Sequence, residues 1–383
     1  MKASELCIPV ALQLFLDDVG WFYGRDCRWE NEPSRTGIPR EHVLEDYIAI
    51  NEVGRACGMK IGTAWVIGDW DVNRVLAKVP LCTWQGENWQ GSKHFNREEA
   101  EKIRDFVNGA AYIDVSVHGL QHDVFYNGVN IGGQEFFIPE GYKKGGKRQL
   151  APEDYIRAHL DAFFEIYESW GFTKKPRNFV SPGGPSDSWQ LGTLAAILRD
   201  YGILTWCNHI SSSQGDGCVV NHGVIFNKKA IELCPWEAYD VNPDRLPLYD
   251  PKKAGIIGGH WPNILRYDPS LNLENVGKWK AFMDRECEVF GMLRSQSIEF
   301  AHCQQVYHYY GKVAEQDGCV ILDMSEADAV MPPDMARPFY ISVRRGAGEL
   351  SCEGGTCTLY ERKKEFDNYK IERADSPVVK LSR

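Results

Sequence analysis

Residues 7–20 read CIPVALQLFLDDVG: an apolar run, Cys7 to Leu16, closed by two adjacent carboxylates, Asp17 and Asp18. The run reads as one buried strand. The segments after it set the fold class. A polar loop reaches about residue 39, and EHVLEDYIAINEVGRACG (41–58) repeats its apolar residues at helical spacing until Gly58. KIGTAWVIG (60–68) is a second strand, and residues 69–96 form a long excursion. A charged helix from Arg97 to Gly109 leads into the strand AYIDVSV, which ends at His118. The alternation continues with a helix over 152–170, the strand and glycine turn RNFVSPGG (177–184) and a helix over 187–201. GILTWC, VVNHGVIFN and AGIIGGH are further strands, and 273–293 is a long amphipathic helix. SIEFAH (297–302) reads as the last strand, and a helix over 303–311 closes the series.

Strands separated by helices of this length are parallel with right-handed crossovers, in a barrel or an open doubly wound sheet. The end of the chain is different. FYISVRRG, GELSCEGGTCTLYERKK and YKIERA alternate with turns and carry no helical pattern, so residues 318–383 read as an appended strand-rich module after a main domain of residues 1–312.

Composition narrows the functional classes. A formal net charge of −10, with KKGGKR (143–148) as the one basic cluster, argues against nucleic-acid or anionic-membrane partners, which require a basic footprint. No apolar run approaches the roughly 18 residues of a membrane helix. The twelve cysteines form no Cys-x-x-Cys pair, which points to reduced thiols in a cytoplasmic protein. The segment after Lys2 lacks an Ala-x-Ala site and runs straight into Asp17, so it does not read as a signal peptide.

Every polar cluster of interest falls where a strand ends. Asp17 and Asp18 end the first, His118 and His122 lie in VHGLQHD, Pro182, Gly183 and Gly184 follow RNFV, and His260 ends AGIIGGH. In a parallel barrel those ends gather on one face, where active sites are built. The i, i+4 spacing of His118 and His122 places two imidazoles on one side of a helical turn, and Asp17 or Asp18 can complete a two-histidine, one-carboxylate metal set with positions open for water and substrate.

The order LDDVG, HGLQH, VSPGG, GGHW resembles the metal-dependent polysaccharide deacetylases, the carbohydrate esterase family 4 group. The resemblance covers roughly residues 8–312 and implies a distorted (β/α) barrel of about seven strands. It further implies that Asp17 is the general base, that Asp18, His118 and His122 bind a divalent metal, zinc by expectation, and that His260 is the general acid. The implied reaction removes an acyl group, acetyl first, from an N-acetylated sugar or a related small amide. Pro182, Gly183, Trp206 and Trp261 are the expected substrate contacts, and a homo-oligomer is allowed.

Three positions depart from the family pattern. Val19 stands where glycine usually follows the aspartates, Val180 where an arginine is usual, and Trp261 where an acidic residue is common. Arg177 is the candidate replacement for that arginine, and His302 is a reserve acid. Asp123 is either a partner of His122 or an exposed loop residue. Trp84 and Trp89, with Trp261, are candidates for a sugar-stacking surface, although most tryptophans belong to the core. Two rivals stand beside this reading: a metal-independent glycoside hydrolase using Asp17 and Glu237, and an inactive carbohydrate-binding protein.

Overall fold

The computed structural model describes residues 1–24, 36–132, 134–183, 192–209, 217–232, 234–248, 250, 255–335, 338–345 and 350–382. Seven parallel strands form a closed barrel: β1 (Ala11–Val19), β2 (Ile61–Val66), β3 (Ile113–Gly119), β4 (Asn178–Phe179), β5 (Thr205–His209), β6 (Val224–Glu232) and β7 (Ile256–His260). Each pairs with the next, and β7 returns to β1 with Ile256 opposite Gln13 and His260 opposite Asp17. That closure decides between barrel and open sheet.

Helices α1 (Leu44–Cys57), α2 (Arg97–Gly109), α3 (Glu153–Ser169), α4 (Gly192–Asp200) and α5 (Val276–Phe290) accompany the strands. Local chemistry sets their ends. Asn96 caps α2 by accepting from the Glu99 N–H, and α1 stops at Gly58, whose φ of 63° suits a residue without Cβ. The start of the expected 187–201 helix lies outside the described residues.

The apolar run of β1 is divided between two faces. Leu12, Leu14 and Leu16 pack outward in the main core, while Phe15 joins Ala64, Val180, Cys207, Ile256 and Ile298 inside the barrel. Much of the interior is polar. Gln13, Ser116, Asn178 and Asn227 are buried; Asn178 donates to Ser116 Oγ at 3.1 Å and accepts from Thr205 Oγ1 at 2.9 Å.

SIEFAH is not a strand. It opens α6 (Ile298–Tyr310), because Ser297 caps Phe300 N–H and the Asp114 carboxylate accepts from Ile298 N–H at 2.9 Å. α6 crosses the mouth where the barrel strands begin: Ile298 enters the inner cluster, and Gln304 donates to Pro9 O just before β1.

Two four-stranded sheets complete the chain. One joins Leu6–Cys7 with Phe339–Arg344, Phe366–Arg373 and Gly355–Arg362; the other joins Lys312–Gln316, Cys319–Asp323, Val378–Ser382 and Ser351–Glu353. A short helix, Ser325–Val330, interrupts the strands, where the sequence pattern suggested none. Their core is shared with Leu6, Ile8, Leu204, Ile225, Val306 and Tyr307 below the barrel. Among the described residues, no helix is long and apolar enough to cross a membrane.

Candidate metal centre

Successive residues of a strand face opposite ways, so Asp17 and Asp18 should diverge. A bulge brings them together. Register against β2 slips by one residue between Leu16 and Val19, and Asp18 has a φ of 63°. Asp17 keeps the inward face of Gln13 and Phe15, while the left-handed turn swings Asp18 into the same mouth. A non-glycine residue held there stores strain, a feature that concentrates at functional sites.

His118 is the penultimate residue of β3 and donates from Nδ1 to Val180 O at 2.8 Å, which leaves Nε2 for a ligand. His122 does not follow on a helical turn, as its spacing suggested. It sits in a turn with φ 64°, wound about the buried carboxylate of Glu135. Glu135 accepts from the N–H groups of Leu120, Gln121 and His122 at 2.8–3.1 Å, and its Oε1 lies 2.8 Å from His159 Nδ1. Three backbone donors converging on one anion form a nest, and this one aims His122 at Asp18. Gly119 makes room: at φ 139°, a Cβ there would lie 2.4 Å from Glu135 Oε2.

Asp18 Oδ1 then lies 3.4 Å from His118 Nε2 and 3.6 Å from His122 Nε2, with all three side chains buried. Both Asp18 oxygens and His118 Nε2 are buried without a hydrogen-bond partner. Buried polar atoms demand partners. Two imidazoles and a carboxylate converging in this way could hold a divalent cation with open positions.

Asp17 is a different carboxylate. Burial pushes its pKa up, but the Lys229 ammonium, which donates to Oδ2, together with His118 and His260 brings it down to about 2. Lys229 extends from β6, is itself buried, and lies over the Phe15 ring. The residue that partners Asp17 is therefore Lys229 rather than Arg177. Arg177 is exposed and lies 3.4 Å from Glu299, at the start of β4, whereas Asp17 lies near the end of β1. His260 Nε2 is 3.6 Å from Asp18 Oδ2, so the general-acid candidate borders the same centre. For His118, burial pulls the pKa down, but Asp18 and Asp17 raise it overall.

Other expected residues go elsewhere. Trp206 is 1% exposed between Phe179 and Phe226 on the outer wall of the barrel, and Trp261 is fully buried, stacked on His42. Neither has surface for a sugar, because each was needed to fill space between strand and helix layers. Trp89 is buried and donates to Asp71, while Trp84 keeps partial exposure. Pro182 is buried and Gly183 exposed just beyond Val180; Gly184 and Cys27 lie outside the described residues. His302 lies in α6 at the opposite end of the barrel, bonded to Ile298 O, with burial pushing its pKa down to about 4. It is no reserve acid. Asp123 is buried rather than exposed and accepts from Asn130 at 3.0 Å.

No family model matches the chain, and no curated protein matches it. Solved structures align with it at low similarity. A protein from Parabacteroides distasonis, provisionally named a glycoside hydrolase/deacetylase, aligns over 82% of this chain and 79% of its own at 10% identity and a TM-score of 0.42. The 4-alpha-glucanotransferase of Thermococcus litoralis aligns over 76% of this chain and 40% of its own, at 11% identity and a TM-score of 0.38. Endo-glycoceramidase II from Rhodococcus sp. aligns over 98% and 97%, at 9% identity and a TM-score of 0.29.

Proposed function

We propose that the chain is a metal-dependent hydrolase that removes an acyl group, acetyl by preference, from an N-acetylated sugar or a related small amide. The observation that carries this reading is the buried Asp18–His118–His122 set, bordered by a lysine-paired aspartate and a histidine. The order of the LDDVG, HGLQH and GGHW motifs supports the same class.

Asp18, His118 and His122 would hold a divalent ion, zinc by preference. When bound, such an ion polarises the scissile carbonyl and makes water more acidic. Asp17, kept ionised by Lys229, accepts the proton of the attacking water at Oδ1, the oxygen that Lys229 leaves free. His260 delivers a proton from Nε2 to the departing amine. Lys229 also fixes the Asp17 rotamer, so the base needs no rearrangement before reaction. Cys57, Cys82, Cys207, Cys218 and Cys287 are buried thiols outside any disulfide, which supports a reducing compartment and, with it, a small substrate rather than a wall polymer.

A glycosidase reading has less support. Glu237 is exposed, and Asp17 is engaged by an ammonium rather than facing a second carboxylate. Elemental analysis of wild type, His118→Ala and Asp18→Asn tests the proposal. We expect about one ion per wild-type chain and loss in both variants, followed by release of acetate from N-acetylated substrates that a chelator stops. Wild type that stays metal-free after incubation with zinc, cobalt or nickel overturns it.

A further inference from the structure

At the opposite end of the barrel from Asp18, a cavity of about 280 Å³ opens where β2, β3, β4 and β5 begin. Four cations from two separate segments line it: Lys60, and Lys174, Lys175 and Arg177 of the loop before β4. Two carboxylates, Asp114 and Glu299, oppose them. This excess of positive charge sits in a chain whose formal net charge is −10.

Each carboxylate holds one of the cations in a long ion pair, which leaves two of the four cations without a carboxylate among the described residues. Lys60 Nζ lies 3.4 Å from Asp114 and Arg177 Nη1 3.4 Å from Glu299, whereas Arg40–Asp46 and Arg157–Asp200 close to 2.7 Å. Asp114 is also committed to the Ile298 N–H. Lys174 is half-buried and bound to Ala110 O; burial, with Lys60 adding to it, pushes its pKa down despite Asp114. Lys175 is exposed and has no ion pair among the described residues. Beneath the charged rim lies an apolar floor of Val115, Leu204, Ile298 and Met335.

We propose that this cavity is a second binding site, for a small phosphate dianion, free or carried as a monoester. Phosphate chemistry fits because a compact dianion can accept from several lysines and a guanidinium at once. The floor accommodates the carbon body of a monoester. The site and the metal centre lie at the two ends of β4: Asn178 lines the cavity, and Val180, two residues on, orients His118.

Calorimetric titration of metal-free protein at constant ionic strength, with inorganic phosphate and with glycerol phosphate, tests the proposal. Saturable one-to-one binding is expected in wild type and unchanged in His118→Ala, which separates this site from the metal centre. Lys175→Glu and Lys60→Gln should each weaken binding roughly ten- to a hundredfold, the worth of one charge-assisted hydrogen bond, while Lys364→Glu on the distant sheet module should not. Equal affinity for both probes identifies the ion itself as the ligand; tighter binding of the monoester identifies an organic phosphate seated on the apolar floor. Absence of saturable binding, or full binding in both cavity variants, overturns the proposal. Failure here leaves the hydrolase reading untouched, because that reading rests on other residues.

Discussion

Replacing Lys229 by methionine removes one ammonium and keeps most of the side-chain volume. The carboxylate left behind is 6% exposed and the lysine 1%, so solvent cannot stand in for the lost partner. The displacement of Asp17 from 3.8 to about 2 is worth roughly 2 kcal/mol at 1.36 kcal/mol per pH unit. Breaking a buried pair from one side costs about 3–5 kcal/mol, because an uncompensated charge remains. Lys229→Met should therefore lose about that much in urea unfolding of the metal-free protein at neutral pH, read by tryptophan fluorescence. Adding Asp17→Asn removes the stranded charge and should restore a substantial part, giving a coupling of about 2–3 kcal/mol in the double-mutant cycle.

The pH dependence carries the same information with a definite sign. Asp17 titrates below its unfolded value in wild type, so its contribution is present above about pH 4 and is lost as pH falls toward 2. In Lys229→Met, burial is no longer opposed by the ammonium, the Asp17 pKa rises, and that acid-range gain should disappear. A coupling energy below about 0.5 kcal/mol, with the acid limb unmoved, would refute the assignment of Lys229 as the partner that holds Asp17 ionised.

Glu135→Gln replaces an acceptor of three backbone N–H groups by an amide, so His122 should lose its aim. Metal affinity should fall about 10–100-fold in a chelator competition while circular dichroism is unchanged; unaltered affinity would show that the turn holds itself. Asp46 accepts from Arg40 and Asn272 and pairs with His42, with a pKa of about 2 where burial alone would raise it. Its contribution of roughly 2 kcal/mol should be present above about pH 4 and lost toward pH 2, and Asp46→Asn should flatten that part of the stability curve. Trp206→Ala should cost about 3–5 kcal/mol through the cavity it leaves yet keep full metal binding; selective loss of substrate affinity with normal stability would return Trp206 to the site.

The barrel was legible because its helices announce themselves. The expected span of α2 matches the structure, and Gly58 stops α1 where its backbone conformation requires. The strand-end clusters were legible for a topological reason, since parallel order alone sends every strand end to one face. Long-range pairings were not. Lys229 follows Lys228 in VIFNKKAIE, and nothing local tells which lysine faces inward; closure of β6 against β7 decides it. No local pattern marks Glu135, because its role depends on backbone donors of a turn 13 to 15 residues away. SIEFAH misled because its β-branched and aromatic residues suit a strand, while its cap partner, Asp114, lies 184 residues earlier. The tryptophans were ambiguous in kind, since the same side chain fills a core and stacks on a ring.

The pairing of Leu6 and Cys7 with Val343 and Ser342 has a consequence for synthesis. The partners are more than 330 residues apart, so at translation rates of about 5–20 residues per second the first strand waits roughly 20 to 70 seconds for its mate. Through that interval Leu6 and Ile8, next to the barrel's opening strand, lack the sheet that will cover them. The nascent barrel thus passes through a long phase with an unpaired edge, the kind of surface chaperones recognise, and the later sheet strands act as a seal applied only after more than 330 further residues have been made.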